Sequence, residues 1–303
     1  RVLGFTQTTT TLLAIGVGSL VGLVLGNPDL PFPSNFALLF GVSGLFFMLS
    51  WLALASIKEP IEPIQAPRQS LGDFARALGP ILRDDRAFRR ALVVRLLAGA
   101  GIMVYPFYIV YVADVHGLTG GWVGFFLSSQ VAGSVAGGLF LGAVCDRWGT
   151  KRVMQLASGL GLLGPGLGLV TWFYPQVIEQ IGPFVLAVMF ASVGLVFSSY
   201  MLGFVNFVME SSEPHNRPMR IGLFNTIAGS LLLVPPLFGW LLQATSYAAA
   251  FGVAGLGFVL ALALTIRLED PRFASRSASK AGAHLSSQVR KLLNRGHRAP
   301  KDD

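Results

Sequence analysis

Charge is scarce in this chain. Asp, Glu, Lys and Arg make up 13% of its 303 residues, where soluble proteins carry about 25%. Cysteine is nearly absent: Cys145 stands alone, which excludes a disulfide-stapled scaffold. Glycine is plentiful, 36 residues, but without a three-residue period, so a collagen-like rod is excluded. What fills the chain is apolar. Residues of the AVILMFWYC set reach 53% and the mean hydropathy is +0.62. A soluble fold of this length could not cover itself with polar surface, and a disordered chain would not be so apolar. The class indicated is an all-α, polytopic transmembrane helical bundle.

Eight apolar runs are long enough to cross a bilayer core, which needs about 20 residues per helix. They cover 5–26, 35–57, 91–113, 121–144, 153–173, 183–207, 221–243 and 247–266. None alternates apolar and polar residues as a barrel strand does. Helices are therefore expected, since lipid offers no partner to unpaired backbone groups. Across all eight runs the single formal charge is Arg95.

A second absence sets the expected topology. The connections 27–34, 114–120, 174–182 and 244–246 contain no Lys or Arg. Of the 23 Lys and Arg, all but Arg95 lie in 1–4, 58–90, 145–152, 208–220 and 267–303. The positive-inside rule places that second set, and both ends of the chain, in the cytoplasm. The net charge of +8 then reads as an orientation signal and not as nucleic-acid binding. The expected surroundings are a plasma (cytoplasmic) membrane, the cell inner membrane where there are two. The chain opens at Arg1 with no signal peptide visible, so it reads as the later part of a longer protein.

Two connections have character of their own. In 58–90, Lys58-Glu59-Pro60-Ile61-Glu62-Pro63 cannot continue a helix, Ser70 can cap one, and Leu71, Phe74, Leu78, Ile81 and Leu82 then share a face away from Arg76, Arg83 and Arg86. That pattern predicts an amphipathic helix on the inner membrane surface. Residues 267–303 form a basic tail, with nine Lys or Arg against four Asp or Glu.

Between the fourth and fifth runs stands Gly142-Ala143-Val144-Cys145-Asp146-Arg147-Trp148-Gly149-Thr150-Lys151-Arg152. This resembles the signature loop of the major facilitator superfamily of secondary transporters, Gly-x-x-x-Asp-Arg-x-Gly-basic-basic. Two spans, a long basic loop and six more spans also match that family's plan. The resemblance implies that 1–57 holds the last two helices of a first six-helix half. Residues 58–90 would be the central cytoplasmic loop, 91–266 the complete second half and 267–303 a basic tail, so that eight spans of an expected twelve are present. It further implies a conformational latch made of Gly142, Asp146, Arg147, Gly149, Lys151 and Arg152. In that latch Asp146 would accept from the amides that open the first span, near Arg1 to Thr6. The two glycines would permit a tight turn and close approach. Thr150 departs from the pattern, standing where the family often has a base.

The family plan also implies a mid-membrane cavity. Candidate pathway residues are Gln7 in the first span, Arg95, Tyr105 and Tyr108 in the third, Gln130 in the fourth, Ser199 and Asn206 in the sixth, and Asn225 in the seventh. Small residues beside them, such as Gly18, Gly22 and Gly137, are read as helix packing. Tyr105 and Tyr108 flank Pro106, and Pro235-Pro236 interrupts the seventh span. Arg95 has two readings: it binds an anionic substrate, or it snorkels to lipid phosphates. Its place near the end of the span favours snorkelling.

The spans contain no Asp, Glu or His, so a coupling carboxylate would have to sit at the rim, at Asp114, Glu179 or Glu210, or outside this chain. No nucleophile–base pair or Gly-x4-Gly-Lys-Ser/Thr loop is present, so neither enzyme nor ATP-driven pump is expected, and no metal or cofactor. The expected function is secondary active transport of a small organic solute by alternating access. Alternatives are proton-coupled multidrug efflux and a non-transporting receptor or scaffold on the same fold. Expected partners are the lipid bilayer, a small-molecule substrate and a coupling proton.

Overall fold

The computed structural model describes residues 13, 16–58, 71–213, 216–268 and 270. Gln7, the amides near Arg1 to Thr6, the Ser70 cap and the tail beyond 270 lie outside the described residues. Every regular element among the described residues is helical. Seven helices are long and apolar enough to cross a membrane, and the apolar helix α1, Gly16–Leu25, is the described part of the first predicted span.

Three elements precede the main bundle. Glycine seats α1 against the fourth span: a Cβ on Gly18 would collide with Ser128, and one on Gly22 would touch Gly124 at 3.5 Å. Helix α2, Ser34–Ala55, presents nearly all its side chains outward, as a lipid-facing helix does. Helix α3, Leu71–Asp84, is the helix predicted in the long connection. It ends where Asp85 caps α4, accepting from the Phe88 amide at 2.9 Å.

Six spans then form one body. The first is α4 (Arg86–Ile102) continued by α5 (Pro106–His116). The second is α6 (Gly121–Trp148), and the third is α7 (Thr150–Leu160) with α8 (Leu163–Phe173). After the short α9 (Gln176–Ile181) comes α10 (Phe184–Ser199), prolonged by a π-helical turn, Tyr200–Val205, and α11 (Asn206–Glu210). Next is α12 (Arg217–Ala228), a 3₁₀ segment Gly229–Leu233 and α13 (Val234–Ala244). The last span is α14, Tyr247–Ile266.

Small residues set the closest packing. Along the α6–α10 seam, a Cβ on Gly133 would run into the Ala191 backbone, one on Gly194 into the Gln130 carbonyl, and one on Gly137 into Leu195. Removing side chains there lets backbones approach and gain dispersion contact that lipid cannot supply. Aromatic rings fill the wider gaps. Phe126 stacks on Phe190 at 5.0 Å, and Tyr108 meets Phe251 edge-on at 5.5 Å.

Four of the six spans are interrupted: α7 gives way to α8 at Gly161–Leu162, and three more breaks have local features of their own. Pro106 has no amide to offer Ile102, so α4 stops there and α5 restarts with Pro106 in its first turn. Pro235 and Pro236 start α13, and the 3₁₀ turn sits just before them, because a proline ring clashes with the preceding turn. The π-turn at Tyr200–Val205 contains no proline and was not foreseen.

Candidate functional site

Arg95 is nine residues into α4, about 13.5 Å along its axis. Its guanidinium carbon lies 4.2 Å from the centroid of the Tyr200 ring and 5.5 Å from that of Phe204. Stacking of this kind offsets about 2 kcal/mol of the cost of burying a cation when water is excluded. Arg95 therefore turns into the bundle and not outward to lipid phosphates, the direction that its position in the sequence favoured.

Around it lies a cavity of about 260 Å³. The α4 side is formed by Ala98, Gly99, Ile102 and Met103, facing Ala157 and Ser158 of α7 and Phe197, Ser199, Tyr200 and Phe204. The helix breaks meet here. Ile102 and Met103 belong to the α4–α5 interruption, and Tyr200 and Phe204 to the π-turn. Leu231 of the 3₁₀ segment packs where Gly99 has no side chain. The Tyr200 hydroxyl donates to Asn225 Oδ1 at 2.5 Å, tying the π-turn to α12.

The structure thus gathers four of the predicted pathway residues. Arg95 and Ser199 line the cavity, Asn225 reaches it through Tyr200, and Tyr105 reaches it through Phe197, with ring centroids 5.9 Å apart. Three others lie elsewhere. Tyr108 is fully buried between α5, α10 and α14, filling space that Gly164 leaves open to its hydroxyl. Asn206 donates back to the Leu202 carbonyl of its own span at 3.4 Å. Gln130 is half-buried on α6, with its carbonyl against Gly194. The hydroxyls of Tyr105 and Tyr108 have no partner among the described residues. Sequence reasoning missed Tyr200, the residue that joins the others. Its spacing from Arg95 carries no signal, since the two lie on different spans.

The signature segment stands at the cationic end. Helix α6 runs on through Trp148, so Asp146 and Arg147 are helical and exposed, and the turn narrows to Gly149. That residue adopts φ 86° and ψ 170°, which a side chain would strain. Gly142 differs from the expectation of close approach, because a Cβ there would meet nothing within 4 Å. Thr150, the departure from the family pattern, is fully buried and donates to Glu210 Oε2 at 3.0 Å. Lys151 Nζ donates to the Ile266 carbonyl at 3.4 Å, a cation on the negative end of α14. Arg152 donates to Gln155 at 3.2 Å. Nearby, Arg220 pairs with Asp85, clamping α12 to the start of α4.

At the opposite end, a second polar cluster ties α5 to α8 and α14. The Tyr111 hydroxyl lies 2.9 Å from Thr171 Oγ1 and 3.0 Å from His116 Nε2. The Tyr247 hydroxyl donates to Asp114 Oδ2 at 2.8 Å.

The family model described as Major Facilitator Superfamily matches residues 91–298. No curated protein matches the chain.

Proposed function

The chain belongs to the Major Facilitator Superfamily, and we propose that its protein carries a small organic solute across a plasma membrane by alternating access. Membership makes it an integral membrane protein and a transporter in general. The solute class and the mechanism are our reading. The observation that carries it is the convergence of the interruptions in α4–α5, α10–α11 and α12–α13 on one cavity lined by a half-buried cation. Broken helices free backbone groups and give side chains two packing arrangements, and transporters place substrate at such breaks.

On this reading the cationic end faces the cytoplasm. Asp85–Arg220, Thr150–Glu210 and Lys151 on the end of α14 bind that end into one rigid body, so motion is of the body as a whole. Asp146, exposed on α6, is the latch that engages the first half in one state and releases it in the other. The π-turn and the Tyr200–Asn225 bond then form the inner wall that closes on substrate.

The test is a panel of radiolabelled neutral, anionic and cationic solutes offered to the full-length protein in proteoliposomes, with and without a pH gradient. Saturable flux of at least one solute, lost on heat denaturation, is expected. Flux that rises linearly with concentration for every solute contradicts a carrier.

A further inference from the structure

The geometry points to a binding subsite for a small organic monoanion, its carboxylate on Arg95 and its apolar body against Phe197, Tyr200 and Phe204. This rests on the transport reading for its purpose, though not for its chemistry. The first ground is charge. Arg95 lines the cavity with eleven other residues, none of them acidic. The carboxylates of the six spans, Asp114, Asp146 and Glu210, all lie in terminal turns. A cation held inside a membrane protein with no counter-ion among the described residues is costly, and such residues mark ligand or ion pathways.

The second ground is the inventory of protons. Ser158 gives its hydroxyl proton to the Met154 carbonyl and Ser199 to the Val196 carbonyl. Tyr200 gives its own to Asn225. Among the lining hydroxyls no donor is left over, whereas Arg95 Nε has no hydrogen-bond partner among the described residues. The cavity therefore recognises a ligand by offering N–H groups, and it asks for an acceptor. A fork of N–H groups fits a carboxylate.

The third ground is shape. The remaining walls are apolar and aromatic, and the cavity is about 260 Å³. One positive charge in such walls matches one negative charge on a compact apolar body. A polyanion would bring charges that nothing here compensates, and a sugar would bring hydroxyls that find no donors.

The probe is benzoate, with benzamide as its neutral isostere and sodium chloride at equal ionic strength as the inorganic control. Thermal melting of the full-length protein in detergent is the readout. Benzoate is expected to raise the melting temperature saturably, while benzamide and chloride leave it unchanged. Arg95→Gln is expected to abolish the shift while melting, without anion, no lower than the parent, since it removes a half-buried charge with no counter-ion among the described residues. Should Arg95→Gln fail to fold, Ala157→Leu decides, because it fills the cavity and leaves the charge in place; it too should lose the benzoate shift. Equal shifts with benzoate and benzamide overturn the proposal, and so does a benzoate shift that survives either substitution. A benzoate shift without any solute flux would sink the transport reading and leave the anion site standing. Saturable flux of a neutral solute with no benzoate shift would do the reverse.

Discussion

The guanidinium of Arg95 rests on the ring of Tyr200, 4.2 Å from its centroid, while the hydroxyl of the same tyrosine holds Asn225. One side chain thereby joins α4, the π-turn and α12. Tyr200→Phe keeps the stack and loses the bond to Asn225, and one hydrogen bond is worth about 1 kcal/mol. The expected result is a KM for the transported solute raised about fivefold. Tyr200→Ala loses both contacts, and KM should rise more than tenfold.

Packing at the α6–α10 seam makes a sharp contrast between glycines. Gly194→Ala drives a methyl group into the Gln130 carbonyl, and overpacking costs about 1–3 kcal/mol. Gly142→Ala meets open space and should change stability by no more than about 0.5 kcal/mol. Melting curves of the two variants in one detergent compare them directly; a Gly142→Ala variant the less stable of the two would contradict the packing described.

Thr150 is legible only in the structure. In sequence it looks like a weakened base of the signature segment. In the fold it is buried and donates to Glu210, 60 residues away. Thr150→Val should cost about 1 kcal/mol, the net worth of one hydrogen bond to a carboxylate that water still reaches. Thr150→Lys, which restores the family pattern, should cost more, because a long cation has no room there. Both are read as losses of melting temperature.

Much of the architecture could be read before the fold was seen, and the reasons are local. The six spans from Arg86 to Ile266 follow from apolar runs of bilayer length, and two breaks follow from Pro106 and from Pro235-Pro236. The π-turn at Tyr200–Val205 has no such mark, because an inserted residue in a helix is set by what packs around it. Arg95 could be singled out as the lone intramembrane charge, but the direction of its side chain depended on the rings of another span. Gly149 was legible as a turn, now seen at φ 86°, whereas Gly142 shows that a glycine in a motif need not be a close contact.

Sidedness has its own check. Cys145 is buried with its thiol directed at the Leu202 carbonyl, so it labels poorly in the folded protein. In a Cys145→Ala background, Ser56→Cys at one end of α2 and Asp29→Cys before the other end are both exposed. An impermeant maleimide should label Asp29→Cys in intact cells and Ser56→Cys only after lysis. The opposite pattern would reverse the orientation.

The latch predicts a kinetic effect without a binding effect. Asp146→Asn should slow flux several-fold at an unchanged KM and level of expression, the side chain being exposed on the end of α6. Unchanged flux would remove Asp146 from the cycle.

The most direct test of the carrier is counterflow. Proteoliposomes holding the full-length protein are loaded with excess unlabelled solute and diluted into a trace of the same solute, labelled. Alternating access predicts a transient overshoot of label inside, slower in Asp146→Asn and absent from empty vesicles. Label that rises only to its equilibrium level, at a rate proportional to concentration, would contradict the account.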